Sequence, residues 1–113
     1  MMINDDSQNI KINSDMREKF LEICRRVGIR ESMAIVKFIT ICIEKNGFDL
    51  DLAAYEKIAA LKSDSRMSYR IDKERKAKFK ELCAENGISI SGAVKLFMAD
   101  VIQEKNMDKY FSS

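Results

Sequence analysis

The chain contains no histidine, no proline and no tryptophan among its 113 residues. Histidine is the commonest general base near neutral pH and the commonest metal ligand, so its absence argues against catalytic triads and histidine-dependent zinc sites. The lack of proline argues against long polyproline linkers. A chain this short also lacks the material for a large enzyme scaffold. We therefore expect a folded binding module, not an enzyme, that needs no cofactor and no metal.

Cysteine is scarce, and the three cysteines are Cys24, Cys42 and Cys83. Their odd number, wide spacing and apolar surroundings predict reduced core thiols, as in a cytoplasmic protein. The longest apolar stretch, residues 33–43, is interrupted by a lysine and is about half as long as a membrane span. Residues 1–8 lack the pattern of an export signal. We therefore expect a cytoplasmic protein with no membrane partner.

The net charge of +2 is too small for a protein that coats nucleic acid through bulk charge alone. The positive charge is concentrated in residues 65–80, where seven basic and two acidic side chains give a local charge of +5. Residues 9–21 hold three basic and two acidic side chains, for +1. The basic run is typical either of a solvated helix face or of a local contact with nucleic acid.

The two halves of the sequence resemble each other at an offset of 59 positions. The matches include Ile12 with Ile71, Phe20 with Phe79, Cys24 with Cys83, Gly28 with Gly87, and Phe38 with Phe97. We interpret this as a duplication. It predicts one unit over residues 8–47, a connector with a short helix over 48–65, and a second unit over 66–106. Each unit is too small to bury a core alone, so we expect the two to share one.

Each unit begins with a segment in which apolar and polar residues alternate, which predicts a half-buried strand. These segments are residues 9–13 and residues 66–72. A helix follows in each unit, with Ser14 and Asp72 as the predicted N-caps. The glycines predicted to close these two helices are Gly28 and Gly87.

The first helix of the first unit has an apolar stripe that includes Val27 at its end. A second helix is predicted in each unit, over about residues 32–46 and 89–105, and both are apolar enough for almost complete burial. In the connector, Asp49 or Asp51 can cap a third helix. Its apolar residues Leu52, Tyr55, Ile58 and Leu61 repeat at helical spacing. We expect a mainly α protein with a short two-stranded antiparallel ribbon, arranged as a tandem single-chain pseudodimer.

This order of strand, helix, glycine turn and buried helix resembles the ribbon-helix-helix (MetJ/Arc) superfamily of DNA-binding proteins. Residues 69–72 and 86–97 of the second unit are particularly similar to RelB-type antitoxins, the partners of RelE-type toxins. The first unit departs from that pattern at residues 30–33, where Arg-Glu-Ser-Met replaces the Ser-Ile-Ser-Gly of residues 89–92. The duplication resembles TraY-like relaxosome proteins.

The resemblance implies that the ribbon enters the major groove of DNA and reads base edges with its outward side chains. The base-reading positions would be Asn9, Lys11, Asn13, Arg66, Ser68 and Arg70. Arg70 is the strongest candidate, because arginine to guanine is the commonest specific contact. Asp72 also lies on this face, where helix capping is the favoured role.

The resemblance also implies that the start of each second helix holds a DNA phosphate. The phosphate-contacting positions there would be Arg30, Ser32, Ser89 and Ser91. Flanking contacts to the DNA backbone would come from Lys73, Arg75 and Lys76. For each serine, plain N-capping is an equally good interpretation.

The expected partner is double-stranded DNA, and three functional classes remain open. The favoured one is a transcriptional repressor or regulator, with self-association of pseudodimers on DNA left open. The second is an accessory protein of plasmid conjugation or partition, with a relaxosome partner. The third is an antitoxin with a toxin partner. The few residues after the last predicted helix, 106–113, argue against it, because antitoxins generally carry a longer C-terminal segment that wraps the toxin.

Overall fold

The computed structural model describes residues 5–111, with the backbone alone for Asp5. The order of elements is β1 (Asp5–Ile12), α1 (Ser14–Val27), α2 (Glu31–Lys45), a 3-10 turn (Leu52–Ala54), α3 (Tyr55–Ala59), β2 (Ser65–Asp72), α4 (Lys73–Glu85), α5 (Ile90–Glu104) and α6 (Asp108–Phe111). The predicted class, mainly helical with one two-stranded antiparallel ribbon, is confirmed, and both strands come from the same chain. Within residues 5–111, every helix is too short or too polar to cross a lipid bilayer. The interpretation of residues 1–8 as lacking an export signal falls partly outside the described residues.

The ribbon is longer than the sequence predicted in its first strand. β1 begins at Asp5, four positions before the predicted start, because residues 5–8 pair with residues 69–72 of β2. The alternating residues Ile10 and Ile12 are buried beneath the ribbon, as predicted. The polar residues at the start of β1 show no alternating apolar pattern, and the partner strand brings them into the sheet despite their low β-propensity.

Helix α1 is capped by Asn13, so the prediction that Ser14 caps it was wrong. The Asn13 Oδ1 atom accepts a hydrogen bond from the backbone N–H of Met16 at 3.1 Å. Ser14 is instead the first helical residue, and its N–H donates to the Asp64 carboxylate at 2.8 Å. The chain stays extended through Asn13, which leaves the capping geometry to that residue. In α4 the predicted cap is confirmed, since Asp72 accepts from the Arg75 N–H at 2.9 Å.

Both glycines predicted to end a helix adopt the left-handed conformation that glycine tolerates best. Gly28 has φ 85°, and its N–H donates to the Cys24 carbonyl at 2.8 Å. Gly87 has φ 71° and lies one position beyond the cap residue of α4. These turns send the chain into α2 and α5. Val27, placed by its spacing on the apolar stripe of α1, is 49% exposed because it lies in the last turn beside Gly28.

The core is built around four buried phenylalanines, one from each long helix. Phe38 of α2 and Phe97 of α5 stack with ring centroids 4.4 Å apart. Phe20 of α1 meets Phe97 edge-on at 5.7 Å, and Phe79 of α4 meets Phe38 edge-on at 6.1 Å. Thus α1 packs against α5, and α2 packs against α4. The near-complete burial expected for the two second helices is confirmed at these rings.

The three thiols lie in this core as predicted, buried and not joined in disulfides. Burial in apolar surroundings disfavours the charged thiolate. It raises the pKa of Cys24 to about 11 and the pKa values of Cys42 and Cys83 to about 12. These thiols are therefore structural rather than reactive at neutral pH.

The connector is helical but shorter than predicted. Asp51 caps the 3-10 turn by accepting from the Ala53 N–H at 3.0 Å. Helix α3 ends at Ala59, so Leu61 lies outside the helix and is 46% exposed, which corrects its placement on the apolar stripe. Beyond the helix, Asp64 accepts hydrogen bonds from the N–H and the hydroxyl of Ser14 at the start of α1.

Helix α6, which folds back onto the core after α5, was not predicted from the sequence. Met107 is buried, and the Tyr110 ring lies edge-on to Phe97 at 4.9 Å. The Tyr110 hydroxyl donates a hydrogen bond to Asp100, and the Lys109 ammonium lies 3.2 Å from the same carboxylate. Desolvation raises the Tyr110 pKa, and the hydrogen bond to Asp100 adds to that effect. The end of the described chain is therefore attached to α5.

Candidate nucleic-acid interface

The outward face of the ribbon is polar, basic and exposed. Its exposed side chains are Ser7, Asn9 and Lys11 of β1 and Arg66, Ser68 and Arg70 of β2. The register places them in three opposed pairs, Ser7 with Arg70, Asn9 with Ser68, and Lys11 with Arg66. Three of the six are basic and none is acidic. The face therefore combines hydrogen-bonding groups with positive charge, which are the groups that read and hold a nucleic acid.

Five of the six predicted base-reading residues lie on this face. The sixth, Asn13, lies outside the strand. Asn13 follows the last residue of β1, and both ends of its amide already have partners. Its oxygen caps α1, and its Nδ2 donates to the Lys62 carbonyl at 3.0 Å. Asp72 is similarly engaged at the far end of β2, where it caps α4 and forms an ion pair with Arg75. These two side chains stabilise the junctions between strand and helix.

The N-terminus of α2 lies beside the outward face of β2. A shallow depression between them is lined by Arg30, Ser32, Met33, Val36, Ser68, Tyr69 and Arg70. Arg30 occupies the N-cap position of α2 and makes no capping hydrogen bond with its side chain. The first backbone N–H groups of a helix and a guanidinium together make a favourable environment for an anion. The sequence had predicted Arg30 and Ser32 as phosphate contacts, and the structure brings both next to Arg70.

The N-terminus of α5 is arranged differently, because its cap is occupied. The Ser89 hydroxyl accepts a hydrogen bond from the Gly92 N–H at 2.9 Å, which is the capping alternative considered for this serine. Ser91 follows in the first turn and is half-buried. Ser89 itself remains exposed to solvent. Its hydroxyl proton is still available to donate, since capping uses only the oxygen lone pair.

The three basic residues at the start of α4 differ in whether they are already engaged in intramolecular ion pairs. Arg75 forms an ion pair with Asp72 and donates to the Thr40 hydroxyl at 2.8 Å. The Lys76 ammonium lies 2.9 Å from the Asp6 carboxylate and donates a hydrogen bond that lowers the Asp6 pKa. Among the ion pairs of the described residues, none involves Lys73, which is exposed. Lys73 is therefore the best placed of the three for an external phosphate.

Sequence reasoning missed Ser7 as a member of the outward face. The predicted strand started at Asn9, because residues 5–8 show no apolar alternation. The repeat offset contained the missing signal, since Ser7 lies 59 positions before Arg66, a residue that was assigned to the face. Applying the offset to the strand boundaries would have extended β1 to include it.

Comparison with known families finds one match in the second half of the chain. A protein-family model described as RelB antitoxin matches residues 64–108, which span β2, α4 and α5. This range is less than half of the 113 residues. No curated protein and no solved structure is detectably similar to the chain. The match falls on the segment whose motifs resemble RelB-type antitoxins.

Proposed function

We propose that the chain binds double-stranded DNA sequence-specifically by inserting its ribbon into the major groove, and that it regulates transcription by occupying an operator. The observation that carries the proposal is the outward face of the ribbon. It presents Lys11, Arg66 and Arg70 together with three uncharged hydrogen-bonding side chains and no carboxylate. A major groove about 12 Å wide admits a two-stranded ribbon, and these side chain types can read its pattern of donors and acceptors.

The flanks of the ribbon support the same proposal. Phosphate contacts fix the register of a protein on the duplex, whereas base contacts specify the sequence. Arg30 and the first turn of α2 lie beside Arg70. They would be available to a backbone phosphate if the ribbon occupied the groove. Lys73 lies directly after β2 and adds an exposed positive charge there.

We further propose that the chain is a tandem ribbon-helix-helix pseudodimer, with units over residues 8–47 and 66–106. Two observations support this. Asn9 pairs with Ser68, which lies 59 positions later, so an axis relating the two units would pass through this pair. The edge-on contact of Phe20 with Phe97 has its counterpart in that of Phe79 with Phe38, as the same offset requires.

A pseudodimer would differ from a dimer of identical chains in two ways. Its strands carry different side chains, so the two halves of its DNA site need not be related by symmetry. Its units also meet at an effective concentration on the order of millimolar rather than at the concentration of free chains. DNA affinity would therefore not decline as monomers separate on dilution.

The test is selection of bound duplexes from a random DNA pool, followed by titration of the enriched sequence with the wild-type chain and two variants. We expect Arg70→Ala to cost about 1–3 kcal/mol at the selected site and to relax the base preference at one position. Lys45→Ala is the matched control. It removes an exposed positive charge from the last turn of α2, at the opposite end from Arg30.

Equal losses in the two variants would mean that Arg70 contributes only charge. A pool that shows no enrichment, together with no binding at low salt, would overturn the DNA-binding proposal. The salt dependence adds a separate measure, because removing one phosphate-binding side chain should reduce the slope of log K against log salt by about one.

The match of residues 64–108 to the RelB antitoxin model favours a second candidate function, neutralisation of a toxin. This role is compatible with DNA binding. Co-purification with a small basic protein encoded next to this chain would support it, whereas a neighbouring relaxase gene and transfer origin would favour an accessory role in conjugation.

A further inference from the structure

Helices α2 and α5 have faces that correspond under the 59-residue offset, but the connector covers only the face on α5. On α5 this face is covered by the connector, and the covering contact is close. Tyr55 of α3 lies so near Gly92 that a Cβ atom added there would overlap the tyrosine ring. Leu96, one turn further along α5, is buried, and Ile58 of the connector lies near it. A short helical segment thus closes this face.

The corresponding face of α2 is open within the described residues. Met33, 59 positions before Gly92, is 54% exposed. It lies at one side of a groove that runs along α2 between α4 and α6. The groove is lined by Met33, Val36, Lys37, Thr40, Ile41, Arg75, Tyr110 and Phe111. Apolar side chains from α2 and α6 make up most of this lining, as is usual at sites that bind protein segments.

The charged side chains that line the groove are both basic. Arg75 is already paired with Asp72 and Thr40. Lys37 is exposed on α2, with its ammonium 5.3 Å from the centre of the Phe111 ring. No acidic residue lines the groove within residues 5–111. The charge of this surface therefore complements a partner with carboxylates beside its apolar residues.

We propose that this groove is a docking site for a short amphipathic helix of a partner protein. The helix would carry large apolar side chains at i and i+3 spacing, as Tyr55 and Ile58 do on the connector, and a carboxylate directed at Lys37. A second copy of the chain fits less well, because a twofold contact would bring together two faces whose charged lining residues are all basic. The proposal goes beyond DNA binding and does not depend on it.

The test uses a peptide that carries the stated chemistry, residues 48–60 of the connector with both ends blocked. This peptide contains Tyr55 and Ile58 and has three acidic residues and one basic residue. We titrate it into the full-length, isotope-labelled chain and follow the backbone amide signals by NMR. We expect saturable shifts at Met33, Lys37 and Ile41.

Variants of the chain and of the peptide locate the contact. Met33→Lys and Lys37→Glu should each weaken peptide binding at least about tenfold, through reduced apolar burial and reversed charge respectively. Lys62→Glu is the matched control, since it reverses an exposed charge in the connector that does not line the groove, and it should leave the affinity unchanged. A peptide with its three acidic residues changed to amides should bind more weakly to the wild-type chain.

Three results would overturn the proposal. Shifts confined to Gly92 and Leu96 would mean that the peptide displaces the connector from its own site on α5. The absence of saturable shifts would remove the groove as a helix site. A dimer in sedimentation that disappears in Met33→Lys would assign the face to a second copy. Unfolding midpoints of the variants within a few degrees of wild type verify that the comparison is made on folded protein, and DNA titration of the same variants separates this surface from the ribbon.

Discussion

The first and second halves of the chain are alike at the centre of the core and differ at several positions that meet solvent. Phe38 and Phe97 stack on each other in the centre of the core and have matching edge-on neighbours. On the ribbon, by contrast, Ser7 of β1 stands where β2 has Arg66 under the 59-residue offset. Core positions are constrained because Phe38 and Phe97 pack against each other, and each also packs against the ring of a further helix, Phe79 and Phe20 respectively. Surface positions have no such constraint, so one half can become more basic than the other.

The largest expected effect comes from breaking the similarity in the core. Phe38→Ala and Phe97→Ala should each lower the free energy of unfolding by about 3–5 kcal/mol, because each removes a fully buried ring and leaves a cavity. The loss should be at least as large for Phe97, because both rings contact Tyr110 of α6 and Phe97 contacts Phe111 in addition. Urea unfolding at equilibrium measures both. A cost below about 1 kcal/mol at either position would contradict the shared core.

The next largest effect is expected on the face of α5 that the connector covers, compared with the open face of α2. Gly92→Ala should lower the free energy of unfolding by about 1–3 kcal/mol, because the new methyl group would overlap the Tyr55 ring. Met33→Ala, at the corresponding position of α2, should cost much less, because Met33 is half-exposed. Thermal or urea unfolding of the two variants makes the comparison.

The double variant Tyr55→Ala/Gly92→Ala isolates the cause. Once the ring is absent, Gly92→Ala should stabilise the chain by up to about 1 kcal/mol through helix propensity. If Gly92→Ala is equally destabilising with and without Tyr55, the close approach of the connector is not the reason for glycine at this position.

A smaller and more nearly equal pair of effects is expected at the helix caps. Asn13→Ala and Asp72→Ala each remove a side chain that accepts a hydrogen bond from the first turn of the following helix. Each should cost about 1 kcal/mol. Ser14→Ala tests the corrected assignment, because it should cost less than Asn13→Ala if Asn13 is the cap. The reverse order in urea unfolding would restore Ser14 to that role.

The smallest effect concerns pH. The pKa of Asp6 is lowered chiefly by the hydrogen bond from Lys76, that of Asp64 by the N–H of Ser14, and that of Asp72 by the N–H of Arg75. A lowered folded-state pKa contributes stability that is present above the ordinary value of 3.8 and is lost as the pH falls through the folded-state value.

We therefore expect the temperature of the unfolding midpoint to decrease as the pH is lowered below about 4. It should stay almost constant between pH 6 and 8, where histidine would titrate and this chain has none. Asp64→Asn should make the midpoint temperature decrease less steeply at acid pH. Thermal unfolding followed by circular dichroism measures this dependence. A midpoint that changes steeply between pH 6 and 8 would contradict this account.

The elements that could be predicted from sequence are those whose signals lie within a few residues. The apolar spacing of α2 and α5 and the glycine at each helix end are local signals, and both were interpreted correctly. The start of β1 and the cap of α1 were not, because they depend on distant partners. Residues 5–8 become a strand by pairing with β2, and Ser14 is engaged by Asp64, 50 positions later.

The candidate site follows the same division. Alternation within β2 was sufficient to place Arg66, Ser68 and Arg70 on the exposed face. It could not reveal that Arg75 and Lys76 are held by Thr40 and Asp6, because those contacts join parts of the chain far apart in sequence. Helix α6 escaped prediction for a related reason. A four-residue helix has no periodicity to detect, and it is stabilised by its contacts with Asp100 and the phenylalanine core.

Because both strands of the ribbon belong to one chain, a single codon change alters only one side of the outward face. In a protein assembled from two identical chains, the same change would appear twice and would disturb both halves of a recognised site together. Here Lys11 can be replaced while Arg70, 59 positions later, stays as it is. If the ribbon reads DNA as proposed, its recognition can therefore diverge in evolution one half at a time, with the other half retaining contact during each step.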